Sequence, residues 1–188
     1  VADVVLEKDN LETLIEALKH GRSTYSNIRK SIRFFLTTNL SEILVMSAAM
    51  VAGIGFPLNA MQLLWITLIS EIFPGLALAL EAPEPGVLHR PPRPPEEPIV
   101  KTTDFKRLTF EAAALSISAM GAYGYGIMKY GVGPRASTMV FQGLTLGQLL
   151  HAISCRSEHH SVFSREKLPS NNILNAALGA SLAMQVLT

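Results

Sequence analysis

One cysteine in 188 residues, Cys155, leaves no partner for an intramolecular disulfide and too few thiols for a cysteine-rich metal site. It reads as a small apolar side chain buried near a helix end. Charge is scarce as well. Asp, Glu, Lys and Arg make up 16% of the chain, against about 25% in ordinary soluble domains. Net charge is +1, so bulk attraction to nucleic acid is not indicated. There is no glycine-rich phosphate loop, no Asp-Lys-Thr-Gly motif and no Ser or Cys triad, so this stretch alone is not expected to hydrolyse ATP. No secretory signal opens it, because Val1 to Lys30 is too charged. It does not begin with Met, and it is expected to be a piece of a longer polypeptide.

What is present is apolar: 48% hydrophobic residues in long runs and a positive mean hydropathy. The expected class is an all-α integral membrane protein. A bundle of about five transmembrane helices would follow a short cytoplasmic αβ remnant and a basic helix. Val1–Leu6 is a β-branched run that reads as a strand, and Asp9 or Asn10 then caps a helix. Leu11, Leu14, Ile15 and Leu18 line one face of that helix, and Gly21 marks its expected end. A basic helix with Arg22, Arg29, Lys30 and Arg33 leads into the first apolar segment.

The expected spans are about Phe34–Gly53, Ala60–Leu80, Leu108–Met128, Ser137–Cys155 and Asn172–Thr188. The first two form a tight hairpin across Ile54–Asn59. Lys and Arg gather before the first span, at Arg90, Arg93, Lys101, Lys106 and Arg107 after the second, and at Arg156, Arg165 and Lys167 after the fourth. The opposite side carries only Lys129 and Arg135, which puts the N-terminal piece in the cytoplasm. The proline-rich loop after the second span reads as a stiff, non-helical connector.

Two polar clusters interrupt the first two spans: Thr38-Asn39-Leu40-Ser41-Glu42 and Thr67-Leu68-Ile69-Ser70-Glu71. A carboxylate at membrane depth costs a few kcal/mol or more unless it is paired or lines a wet cavity. Thr38, Asn39 and Glu42 share one helical face, and Thr67, Ser70 and Glu71 repeat the pattern at i, i+3, i+4. The hairpin brings both faces to one depth. Two carboxylates, an amide oxygen and three hydroxyls suit hard cations: Ca²⁺, or Na⁺ and K⁺ with weaker demands. Pro74 removes a helix hydrogen bond to the Ser70 carbonyl and should kink or unwind the second span. In the fourth span Gln148 either completes an oxygen cage or bonds a neighbouring helix, and His151 reads as a satisfied interhelical residue. Gly121, Ala122, Gly124 and Gly126 suggest close helix packing in the third span. His159-His160 reads as a solvated pair.

On these residues the chain resembles the C-terminal part of type II P-type ATPases, the calcium and sodium–potassium pump group. Ala2–Leu6 with Asp9-Asn10-Leu11 looks like the end of the phosphorylation domain, and Asn27-Ile28-Arg29-Lys30 with Ile32-Arg33 like the stalk. Gln62–Ile66 and Pro74–Leu78 look like the family's sixth span, and Pro83-Glu84-Pro85 with Arg90–Arg93 like the loop that follows. The resemblance implies residues 1–22 as the phosphorylation-domain tail and 23–80 as stalk and first hairpin. Residues 81–107 would be the cytoplasmic loop and 108–188 three further spans, numbers seven to nine of ten. Asn39 and Glu42 match the calcium pumps' fifth-span ligands; Thr67, Ser70, Glu71 and Gln148 stand where those pumps carry Asn, Thr, Asp and Glu.

The function so implied is the membrane portion of an ATP-driven cation pump, holding the intramembrane cation site and pathway. Ca²⁺ is favoured, with Na⁺, K⁺, H⁺ and Mn²⁺ as alternatives. ATP and Mg²⁺ would act only through upstream nucleotide-binding, phosphorylation and actuator domains. The competing reading is a stand-alone, truncated, non-enzymatic membrane protein that assembles with or regulates such a pump.

Overall fold

In the computed structural model the described residues are 11–84, 86–89, 91, 94, 96–156 and 170–186. The expected strand Val1–Leu6, the cap at Asp9 or Asn10, the His159-His160 pair and Arg90, Arg93, Arg165 and Lys167 lie outside them. Among the described residues every regular element is helical.

Helix α1 runs unbroken from Leu11 to Val51, 41 residues. At 1.5 Å per residue it is about 60 Å long, roughly twice the hydrocarbon thickness of a bilayer. Gly21 does not end it. A single helical glycine costs about 1 kcal/mol relative to alanine, and neither a proline nor a turn sequence follows to exploit the weakness. The helix stops at Gly53 instead. There the backbone turns to φ 70°, and Gly53 N–H and Ile54 N–H bond back to the Met50 and Ala49 carbonyls, a glycine-terminated helix end.

Asn59 starts the next helix with a reciprocal cap: its side chain accepts from the Gln62 N–H, and the Gln62 side chain accepts from the Asn59 N–H. The second apolar segment is three pieces, α2 (Ala60–Trp65), a π turn (Ile66–Glu71) and α3 (Ile72–Ala79). In the π turn the Ile72 N–H reaches the Thr67 carbonyl, five residues back. Pro74 lies just beyond and supplies no N–H, so the ladder is already short of one donor where the turn widens.

Helix α4 (Thr102–Tyr130) ends at Gly131, φ 76°, and Pro134 opens α5 (Pro134–Ser154); α6 spans Asn172–Val186. The short Gly131–Gly133 connection folds α4 against α5. The fit uses small residues: a Cβ on Gly126 would lie 3.0 Å from Ala136, one on Gly143 3.1 Å from Ala122, and one on Gly147 3.1 Å from Leu115. Gly121 and Gly124, expected at this contact, face open space.

The interior is layered. Val45, Ala49, Leu58, Ile66, Ala119, Tyr123, Val140 and Leu144 form an apolar cluster near the α1–α2 turn. Phe34, Ala77, Leu78, Ala152, Cys155 and Leu174 form a second at the other end, with Cys155 fully buried as expected. Between them lie Thr37, Thr38, Ser41, Ser70, Glu71, Thr145 and Gln148, none more than 2% exposed. Two helices, Glu12–Val51 and Ala60–Ala79, are long and apolar enough to cross a membrane.

Where α1 crosses α3, a Cβ built on Gly75 overlaps the Phe35 ring. Gly75→Ala is therefore expected to destabilise the fold by about 1–3 kcal/mol, seen as a lower unfolding temperature in detergent. An unchanged transition would mean the ring gives way freely.

Candidate functional site

The polar layer is assembled from three helices. On α1, α-helical spacing places Thr38, Asn39 and Glu42 toward the π turn. The Asn39 side-chain amide donates to the Phe35 carbonyl at 2.8 Å and to Glu71 Oε2 at 3.3 Å. Thr38, Glu42 and Asn39 all reach the Glu71 carboxyl. From α5, Gln148 Nε2 donates to Glu42 Oε1 at 3.0 Å. Asn39, Glu42 and Glu71 thus meet, as the two helical faces predict, and Gln148, whose place spacing leaves open, joins them, with Glu42 half-buried and Asn39 on the exposed margin.

Thr67 does not join them. It is exposed, and its hydroxyl bonds the Leu63 carbonyl at 3.1 Å. The i, i+3, i+4 reasoning assumed α-helical rotation, but Thr67, Ser70 and Glu71 lie in the π turn, whose wider winding opens the angle between Thr67 and Ser70. Ser70 and Glu71 turn inward together and Thr67 stays outside.

Four buried oxygens of the layer have no hydrogen-bond partner: Ser70 Oγ, Glu71 Oε1 and Gln148 Oε1 around the carboxyls, and Thr37 Oγ1. Orphaned buried acceptors are costly, and each calls for an explanation. The amide orientation of Gln148 accounts for its share, because Nε2 is committed to Glu42 and Oε1 is left facing inward. Two adjacent carboxyls need a cation or a proton between them. A hard cation would satisfy both requirements through two carboxylates, an amide oxygen and a hydroxyl. Among the described residues no group of three or more His, Cys, Asp and Glu side chains forms a metal cluster, so neutral oxygens must complete any cage.

Sequence spacing missed several members of the layer. Thr37 is fully buried with an unpartnered hydroxyl. Ser116 of α4 donates to the Ser41 carbonyl at 3.1 Å and ties α4 to α1 beside the site. Thr145, one turn before Gln148, is fully buried too; its i, i+3 relation to Gln148 was the available signal. His151 is an interhelical residue as expected, stacked on Phe34 and 3.3 Å from the Cys155 sulfur.

Below the second apolar cluster, the basic face of α1 is neutralised residue by residue. Lys30, fully buried, pairs with Glu84 at 2.7 Å and lies 4.0 Å from Glu81. Arg156 also bonds Glu81, at 2.7 Å. Burial pushes the Glu81 carboxyl above the ordinary carboxylate range, against the pull of Arg156 and Lys30. Arg22 donates to the Val87 carbonyl at 3.2 Å, Arg29 pairs with Asp104 at 3.0 Å, and Arg33 pairs with Glu111. The described part of the proline-rich loop is non-helical, as expected, but it is fastened along α1 rather than merely bridging two spans.

The described residues thus form a helical segment with a paired-carboxylate, oxygen-lined layer between two apolar clusters, the pattern of a membrane protein's interior. Residues 55–188 match the family described as "Cation transporting ATPase, C-terminus", and the chain belongs to it, as the C-terminal region of a type II P-type ATPase. Similar proteins include a calcium-transporting ATPase of Bacillus subtilis, 36% identical over 98% of this chain and 21% of that protein. Calcium-transporting ATPase 1 of Schizosaccharomyces pombe is 31% identical over 99% of this chain and 21% of its own length. The human calcium-transporting ATPase type 2C member 1 is 28% identical, covering 95% and 20%. The chain spans about a fifth of the length of these relatives.

Removing the ammonium of Lys30 leaves Glu84 without its buried counter-charge. Lys30→Met is expected to destabilise the protein by about 3 kcal/mol, the usual penalty for breaking a buried pair. Thermal unfolding checks this, and restored stability in Lys30→Met/Glu84→Gln would attribute the loss to the stranded carboxylate.

Proposed function

We propose that this chain is the membrane portion of an ATP-driven cation pump, and that the polar layer is its intramembrane cation site. The observation that carries the reading is the pair Glu42 and Glu71 beside the unpartnered oxygens of Ser70, Glu71 and Gln148, between two apolar clusters. Asn39, Glu42, Ser70, Glu71 and Gln148 are the proposed ligands. Thr67 is retained as a ligand of a differently wound second span, because rewinding the π turn would bring its hydroxyl inward. Ca²⁺ is the favoured cargo, supported by the names of the relatives. With only two carboxylates the charge on offer suits one divalent ion.

The bilayer reading extends to five spans. Besides the two strongly apolar helices, α4, α5 and α6 present Phe110, Ile117, Met128, Leu150 and Ile173 outward, each more than half exposed. Such a surface suits lipid better than water. Basic residues concentrate at the end of the bundle that holds Lys30 and Arg33, which favours a cytoplasmic N-terminus. Upstream nucleotide-binding, phosphorylation and actuator domains of the same pump would supply ATP chemistry. Helix α1, continuous from residue 11 to the site, would carry their movement to Asn39 and Glu42.

In the intact pump, Glu71→Gln is expected to abolish cation-stimulated ATP hydrolysis, while Glu42→Ala raises the half-saturating Ca²⁺ concentration at least tenfold, about 1.4 kcal/mol of binding energy. Assays with Ca²⁺, Mn²⁺, Na⁺ and K⁺ in turn would identify the cargo. Normal turnover in Glu71→Gln would remove the site from the pathway.

A further inference from the structure

Hydroxyl groups in this bundle bond in two ways. Thr145 donates backward along its own helix, to the Phe141 carbonyl at 2.8 Å, the usual habit of Ser and Thr in apolar helices, whereas Ser31 donates across to the Gly75 carbonyl. Ser181 is the one hydroxyl of α6, it is 1% exposed, and it is of the second kind. Its Oγ donates across to the Ile69 carbonyl, inside the π turn, at 2.7 Å.

The choice of acceptor follows from the winding. In an α-helix the N–H missing at Pro74 would have served Ser70; at π spacing, five residues back, it would have served Ile69. Ser181 thus supplies a donor at the carbonyl where π winding loses one. Ile69 directly precedes Ser70 and Glu71, whose inward orientation depends on that winding. Collapse of the π turn into α-helix would remove one residue's worth of insertion and rotate the two sides of the helix against each other by about 100°.

We propose that Ser181 is a positioning residue for the cation site: by donating to the Ile69 carbonyl it holds the π turn that aims Ser70 and Glu71 into the polar layer. The inference rests on the cation-site reading above. Ser181 makes no hydrogen bond to a proposed ligand and acts through the Ile69 backbone carbonyl. A bond from the start of α6 to α3 provides the contrast. Asn171 Nδ2 donates to the Ala77 carbonyl at 3.1 Å, and Asn171 Oδ1 also caps α6 by accepting from the Leu174 N–H at 2.9 Å. That contact fastens α6 to the same broken span without touching the π turn.

The test uses the full-length pump and the Ca²⁺ dependence of its ATP hydrolysis. Ser181→Ala is expected to raise the half-saturating concentration about fivefold, the worth of one buried hydrogen bond, with maximal turnover kept within about twofold. Ser181→Thr should restore it. Asn171→Ala should lower the unfolding temperature without moving half-saturation. If Ser181→Ala fails to accumulate, Ser181→Cys, a near-isostere with a weaker donor, is read the same way. An unshifted half-saturation in the folded Ser181 variant overturns the proposal. So does a shift that Asn171→Ala reproduces, since both would then report general loosening of α6. Glu71→Gln, run in parallel, separates the two levels: its retained activity would sink the cation-site reading, whereas its silence beside an unshifted Ser181→Ala would sink only the role of Ser181.

Discussion

The arrangement of this bundle depends on holding Glu42, half-buried, against Glu71, buried, between two apolar clusters. Each carboxylate alone would cost several kcal/mol in an apolar interior, and adjacency adds repulsion. The surrounding structure answers with short-range polar contacts: Asn39 on one carboxylate, Gln148 on the other, and Thr38 reaching Glu71. Apolar clusters close the layer on both sides. Low dielectric there strengthens every remaining contact. The same surroundings make the unpartnered oxygens of Ser70, Glu71 and Gln148 unfavourable until something cationic joins them.

Backbone geometry is the second half of the design. An uninterrupted α-helix through residues 60–79 would satisfy its own carbonyls and present side chains at fixed 100° steps. Pro74 and the π turn break that regularity, and Ser181 donates to the Ile69 carbonyl inside the turn. Toward the end of the span Ser31 donates to the Gly75 carbonyl at 2.9 Å, Asn171 to that of Ala77 and, just past it, Asn27 to that of Glu81 at 2.6 Å. Irregular backbone at membrane depth is tolerable only where such donors surround it.

Much of this was legible beforehand, for local reasons. The first hairpin followed hydropathy, with Gly53 and Asn59 at the ends of its turn; the α4–α5 turn, at Gly131 and Pro134, falls between the expected limits Met128 and Ser137. The face carrying Thr38, Asn39 and Glu42 could be read because α1 is regular there. Reading failed where local regularity failed. α-Helical spacing groups Thr67 with Ser70 and Glu71, and the π turn cancels it. One glycine, Gly21, does not end a long helix. Lys30 reads only as part of a basic helix, since neither its burial nor its partners in a distant loop leave a mark on its neighbours. A hydroxyl such as Ser181, bonded across helices, has the same letter as one bonded to itself.

The buried ionic knot of Lys30, Glu81, Glu84 and Arg156 also has a mechanical meaning. Parting such charges in a dry interior is far costlier than sliding apolar side chains past one another. Residues 22–33, the loop residues Glu81 and Glu84, and the end of α5 are therefore welded into a stiff block. The contact between α1 and the broken span higher up is held by neutral donors, the Ser31 hydroxyl on the Gly75 carbonyl and the Asn39 amide on Glu71, and by van der Waals surfaces. Compliance is concentrated there, so a force entering along α1 deforms the polar layer before it can shear the block beneath it.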